Sequence, residues 1–268
     1  MKRIAVITGA ASGIGAALAR GLAKEQYDLV LVGRNVDALS ATAEDIISQT
    51  PQCNVQCKSA DLTNLDDRST VFSAVASAGV NDILLINNAG ISHFGTLASN
   101  EDASLEKLFA TNVLAPMALT RLFVAGAKKG NQRLSVINIG STFGAIGYPG
   151  FSGYCASKFA IRGFSEALSR ELADEPDVSI RYFAPRATKT GFNSEQINAM
   201  NAELGVTMDS PEVVAREFIR FLESDKATAH IGWPERFFVW LNKIAPALVS
   251  SALKKQLSTI EKYAAANK

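Results

Sequence analysis

The chain alternates between short apolar runs rich in branched residues and longer stretches in which apolar positions recur every three or four residues. RIAVIT precedes IGAALARGLAKE, DLVLVG precedes VDALSATAEDIISQ, NVQCKSA precedes LDDRSTVFSAVASAG, and DILLIN comes next. The short runs predict strands and the helical recurrence predicts helices. The series continues with a helical region over about 104–128, the strand LSVINIGS, a helix over 154 and 158 to about 173, and the strand VSIRYFA. Pro211 opens a further helix, PEVVAREFIRFLES, where the missing N–H costs nothing. AHIGW reads as a last short strand. Strands that are apolar throughout are buried on both faces, so the pattern predicts an α/β fold: a doubly wound parallel sheet of about seven strands with helices on both faces. No linker or repeat divides residues 1–232, and one domain over 1–268 follows.

Composition narrows the function. With 268 residues, 47% of them hydrophobic, the chain is long enough for one large core, and a net charge of +1 leaves no basic stripe for nucleic acid. Three cysteines in a domain of this size point to a reducing compartment without disulfides. Cys53 and Cys57 lack histidine companions at ligand spacing, so no metal site is expected. MKRIAVITGAASGIG has too short an apolar run for a signal h-region or a span, which predicts a cytoplasmic protein. The tail over 234–268 differs: FFVWLNKIAPALVSSALKKQL predicts an amphipathic helical segment. It suits either a membrane interface, giving peripheral membrane contact, or a subunit contact or lid.

Two motifs carry chemistry. TGAASGIG follows the first strand and opens the first helix, with Gly9, Gly13 and Gly15. Missing side chains let a diphosphate reach the helix N-terminus, whose amides favour anions, although a tight βα turn alone would use the same glycines. Tyr154 and Lys158 are four apart on a predicted helix, hence on one face. A phenol titrates near ~10, and a neighbouring ammonium lowers that value, making a general acid or base. Taken alone, the pair reads better as a partly exposed helix pair without chemistry. No G-x-S-x-G elbow supports a serine hydrolase.

The glycine spacing, NNAG at 87–90, and Tyr-x-x-x-Lys preceded thirteen residues earlier by Ser141 together resemble the short-chain dehydrogenase/reductase (SDR) family over nearly the whole chain. The resemblance implies a Rossmann-like fold and a hydride transfer between a nicotinamide cofactor and a carbonyl or secondary alcohol, usually in a homodimer or homotetramer. It implies that Tyr154 is the acid/base, that Lys158 tunes it and holds the nicotinamide ribose, and that Ser141 positions the substrate oxygen. Asn112 would hold a water in a proton path; with Pro116 nearby, a helix kink is the other reading. The cofactor set implied is Gly9, Ser12, Gly13, Ile14, Gly15, Arg34, Asp61, Leu62, Asn88, Ala89, Gly90, Tyr154, Lys158, Pro185, Thr188 and Thr190, with Asn87 structural.

Where the second strand ends, a dinucleotide fold usually places an acid for the ribose hydroxyls; here Gly33 is followed by Arg34. An arginine there favours a 2′-phosphate and predicts NADP(H) over NAD(H), unless Arg34 is a solvated surface cation. Asp61 reads as the adenine contact or as a helix-start turn residue. The family's Pro-Gly after the sixth strand is Pro185-Arg186 here, and Arg186 reads as a contact to an anionic substrate group, to a cofactor phosphate, or to solvent. The segment over 186–210 matches the family's substrate lid, with Phe192, Ile197, Met200 and Leu204 as an apolar wall. Small-molecule contacts are expected from His93, Phe143, Tyr148 and Phe192, the apolar loop after Ser141 suits a ligand cleft, and the interfacial character of the tail favours a hydrophobic or lipid-like substrate. A non-catalytic redox sensor binding NADP(H) is the reading from another class; it would not need Ser141, Tyr154 and Lys158 together.

Overall fold

A computed structural model describes residues 3–76 and 79–265. Its sheet is wholly parallel, in the order β3-β2-β1-β4-β5-β6-β7. The strands are β1 (Arg3–Thr8), β2 (Asp28–Gly33), β3 (Val55–Ser59), β4 (Asp82–Asn87), β5 (Arg133–Ile139), β6 (Val178–Ala184) and β7 (Thr228–His230). Between them run α1 (Gly13–Lys24), α2 (Val36–Gln49), α3 (Leu65–Ala76), α4 (Asp102–Phe109), α5 (Ala115–Gly130), α6 (Ser152–Glu171), α7 (Glu195–Glu203) and α8 (Pro211–Leu222). Three further helices close the described chain: α9 (Glu235–Ile244), α10 (Pro246–Lys254) and α11 (Leu257–Ala265). The strands match the apolar runs. The tail expected over 234–268 is three helices, because Pro246 cannot continue α9 but suits the first turn of α10. Its last three residues, and parts of the predicted N-terminus and third helix, lie outside the described residues.

Alternation along each strand sorts the core into two layers. Ile7, Leu31, Ile86 and Phe183 face α1, α2 and α8, where they meet Leu18, Leu39 and Phe218. Val6, Val30, Leu85 and Val136 face the other way, onto Val71 and Val75 of α3 and Leu119 and Phe123 of α5. Each fully buried Phe or Leu side chain contributes about 1.5–3 kcal/mol. By length and composition the helical run Asp102–Gly130 could cross a membrane, but Leu119, Phe123 and Ala127 are buried against the sheet. It is a core helix of this domain.

The chain moves outward from β1 to β3 and then returns to pair β4 against β1. Strand order reverses there, so a crevice opens beyond the carboxyl ends of β1 and β4. A buried polar chain fixes that level of the sheet. Asn87 Nδ2 donates to Thr120 Oγ1 (3.0 Å) and Asn138 Oδ1 (2.8 Å), and Asn138 Nδ2 donates to Ser165 Oγ (2.9 Å). These bonds tie β4 and β5 to α5 and α6, the role the sequence assigns to Asn87.

Candidate active site

One cleft of about 760 Å³ lies over the carboxyl ends of the strands. At one end the turn after β1 reaches it with Gly9 at φ +66 and Gly13 at φ +55, conformations that side chains disfavour. Ser12 and Ile14 join them on the wall. Gly15 lies beneath: a Cβ there would come within 2.2 Å of the Gly9 carbonyl oxygen, so its absence seats α1 against the turn. Thr8, which the motif reading passed over, clamps this floor. Its Oγ1 accepts the N–H groups of Asn88 and Ala89, both at 2.9 Å, and Asn88 Nδ2 donates to the Thr8 carbonyl at 2.9 Å. With Gly90 beside them, these residues form an open floor at the helix N-terminus. A side chain on Gly9 would press on Ala89 at 2.9 Å, so the cradle has the chemistry and the clearance that a dinucleotide diphosphate needs.

Further along, Arg34, Asp61 and Leu62 line the same cleft, joined by Lys107 from α4. Arg34 is exposed on the rim. Asp61 lines the cleft, and its Oδ1 accepts from Thr63 N (3.0 Å) and Thr63 Oγ1 (2.7 Å), the Asx turn of its second reading. Those bonds hold its carboxyl below the usual range, with a smaller contribution from Arg34 and Lys107. Lys107 carries no sequence motif; only its place on a helix facing the cleft reveals it.

Ser141, Tyr154 and Lys158 converge at the centre, with Phe143 and Tyr148 beside them. Ser141 follows β5, and Tyr154 and Lys158 share one face of α6. The loop after Ser141 packs closely because Gly140 and Gly144 leave room for the Tyr182 ring from β6, whose hydroxyl bridges the Ser141 N–H (3.3 Å) and carbonyl (3.4 Å). Burial pushes the Tyr154 phenol up, and a hydrogen bond from the Ser141 hydroxyl pulls it partly back. Burial likewise brings Lys158 down to about 8. The acidification expected from Lys158 does not set the phenol here: the ammonium donates to the Ile139 carbonyl (3.1 Å), with Nζ 5.7 Å from the centre of the Tyr154 ring. Desolvation outweighs a cation that is itself desolvated.

Asn112 lies behind the wall, in a π-helical turn (Ala110–Leu114) between α4 and α5. Its Oδ1 accepts from Ile91 N (2.8 Å), and its Nδ2 donates to the Ile91 carbonyl (2.8 Å) and Ser157 Oγ (3.1 Å). The amide thus ties Ile91 and Ser157 together at a local irregularity of the helix, of the kind common at functional sites. His93 is not among the cleft residues; its imidazole sits beside Gly95, while Ile91 and Ser92 face inward. Pro185, Thr188 and Thr190 do line the cleft, and Thr190 packs over Gly13.

Arg186 lines the cleft, and its charge is already paired within the protein. Its guanidinium binds Asp209 through Nε (2.7 Å) and Nη2 (2.6 Å) and reaches Glu235 of α9 at 3.4 Å, with only 18% of the side chain exposed. The partners lie far along the chain, so no local pattern announces them. Asp209 also closes the base of the 186–210 segment: its N–H donates to the Ala187 carbonyl (2.9 Å) and its carbonyl accepts from Lys189 N (2.8 Å). Between those ends, Phe192 lies 6.1 Å from the Tyr154 ring, and Ile197 and Met200 pack with Phe151 and Tyr154. Leu204 joins the same cluster.

This fold, glycine cradle and Ser-Tyr-Lys centre define a dinucleotide-dependent oxidoreductase class, and the family profile described as short chain dehydrogenase matches residues 3–201. The chain belongs to that family. Estradiol 17-beta-dehydrogenase 11 of Pongo abelii is 32% identical over 260 residues, covering 95% of this chain and 83% of that one. Among solved structures, an SDR from Burkholderia phymatum in complex with NAD has a TM-score of 0.82 at 22% identity, covering 92% and 95% of the two chains. A short-chain dehydrogenase from Sphingobium yanoikuyae in complex with NADPH has a TM-score of 0.77 at 23% identity, covering 93% and 96%. At those identities the two structures show the shared fold.

Proposed function

We propose that this protein is an NADP(H)-dependent oxidoreductase that interconverts a carbonyl and a secondary alcohol on a hydrophobic or lipid-like substrate. The observation that carries the reading is the convergence of Ser141, Tyr154 and Lys158 in one cleft with the glycine cradle. The bound nicotinamide supplies or accepts the hydride. In the reducing direction the Tyr154 hydroxyl gives its proton to the substrate oxygen as the carbon is reduced, and Ser141 holds that oxygen by a hydrogen bond. Lys158, a cation below pH of about 8, stabilises the phenolate left behind and binds the ribose. Asn112 fixes the Ile91 backbone beside Gly90 and supports the return of a proton towards Lys158.

Arg34 and Lys107 support a 2′-phosphate, since both reach the cofactor end of the cleft and neither is an acid that would repel it. The apolar substrate class is supported by Phe143, Tyr148, Phe192, Ile197 and Met200 on the other end. Exposed Leu114 and Phe159 support a homodimer or homotetramer, and the apolar face of the C-terminal helices supports peripheral contact between a cytoplasmic protein and a membrane. A spectrophotometric screen of ketones, 3-oxoacyl thioesters and steroids with NADPH and NADH tests the reading. NADPH consumption with at least one carbonyl class is expected. A preference for NADH would refute the role of Arg34, and tight NADPH binding without turnover of any class would favour the redox sensor.

A further inference from the structure

From Trp233 to Lys255 the chain turns two different faces to its surroundings. The inner face buries Val239 and Val249, with Leu241 and Leu253 partly buried, around Ala145 and Ile146 in the loop after Ser141. Asn242 Nδ2 anchors it by donating to the Ala145 carbonyl at 3.0 Å. The outer face carries Trp233, Phe237, Phe238, Trp240, Ile244 and Leu248, between 40% and 73% exposed. The four aromatic residues form a contiguous patch, because Phe237 is in ring contact with Trp233 (6.2 Å), Phe238 (5.8 Å) and Trp240 (5.9 Å). Two tryptophans and two phenylalanines in water on one face are costly unless something covers them.

Charge says what covers them. The charged residues of this stretch are Glu235, Arg236, Lys243, Lys254 and Lys255. The lone acid, Glu235, turns inward to Arg186 at 3.4 Å, while all four cations are exposed. A chain with a net charge of +1 thus concentrates an all-cationic rim around an aromatic patch. Tryptophan and phenylalanine at headgroup depth, with Lys and Arg reaching anionic lipids, are the composition of a helix lying in a membrane interface. The patch also borders the cleft: Glu235 lines it, and Tyr148 Oη donates to Gln256 Oε1 at 2.9 Å just beyond α10.

We infer that the outer face of α9 and α10 docks on an anionic lipid bilayer and turns the substrate end of the cleft towards it. The class of substrate that follows, an apolar carbonyl compound dissolved in that bilayer, rests on the oxidoreductase reading; the docking does not. The arrangement explains why the aromatic patch and the cationic rim occur on the same two helices.

Cosedimentation of the full chain with vesicles tests docking independently of turnover. Vesicles of phosphatidylcholine alone are compared with vesicles that also contain phosphatidylglycerol, at low and high salt. Binding to the anionic vesicles is expected, weakened by salt, and reduced about tenfold or more both in the pair Phe237→Ser with Trp240→Ser and in the pair Arg236→Glu with Lys243→Glu. These residues lie on the outer surface, so melting temperature and NADPH turnover of a water-soluble ketone should stay close to those of the parent. Equal partitioning of parent and variants, or equal binding to both vesicle types, would overturn the proposal. So would a parent that ignores vesicles but self-associates, with the aromatic variant sedimenting as a monomer. Should docking hold while the ketone screen yields no turnover, the enzymatic reading fails and the membrane surface stands.

Discussion

Burying an ammonium with no carboxylate beside it is unfavourable, and desolvation brings Lys158 down to about 8 from an unfolded value near 10.4. Between those values the unfolded chain binds a proton that the folded chain does not, so stability attributable to Lys158 rises with pH across that window; below it the cost is constant. The thiols of buried Cys53 and Cys155 and of half-buried Cys57 are raised and act in the opposite sense in alkali, so the comparison is made against Lys158→Met, which keeps them. From pH 8 to 10 the parent should gain on the variant by at most about 3 kcal/mol in denaturant unfolding. Parallel pH curves would contradict the burial of a charged Lys158. The position of this residue, with Ser141 and Tyr154, was legible because helix period and motif spacing are local properties of the chain. The partners of Arg186 were not, since Asp209 and Glu235 lie 23 and 49 residues away.

Among elements, the parallel strands were the most legible, because residues buried on both faces leave little freedom in composition. Two places departed from local expectation. The π turn at Asn112 adds a residue to the helix so that its amide meets Ile91, a demand of the neighbouring loop that helical periodicity does not carry. The tail divided at Pro246 into α9 and α10, which pair around Ile146 instead of continuing as one helix. The segment bearing α7 is held at its base by Asp209, through two backbone bonds and the Arg186 fork. Asp209→Ala leaves a largely buried guanidinium with only the longer 3.4 Å contact to Glu235 and should cost on the order of 3 kcal/mol in thermal or denaturant unfolding. It should also raise KM for substrate more than it lowers kcat, because the base of the substrate segment loosens while Tyr154 stays in place. A drop in kcat alone, with KM and stability unchanged, would place Asp209 in the chemistry instead.

At the scale of the molecule, the reversal of strand order between β1 and β4 puts the glycine turn, the Asn88 floor and the end of β5 along one crevice. The same topology sets α6 across that crevice and the C-terminal helices against the loop after Ser141. That the chain belongs to the short-chain dehydrogenase family was readable from motif order over its length, and the tail's aromatic and cationic content was readable too; that Glu235 leaves the outer surface was not, since only folding turns it inward to Arg186. The proposed chemistry depends on a proton donated by Tyr154, and removing its hydroxyl alone tests this most directly. Tyr154→Phe, measured with a carbonyl substrate from the screen, should lower kcat by about 10²- to 10⁴-fold while the NADPH dissociation constant stays within about twofold. Turnover near that of the parent, with the same NADPH affinity, would contradict it.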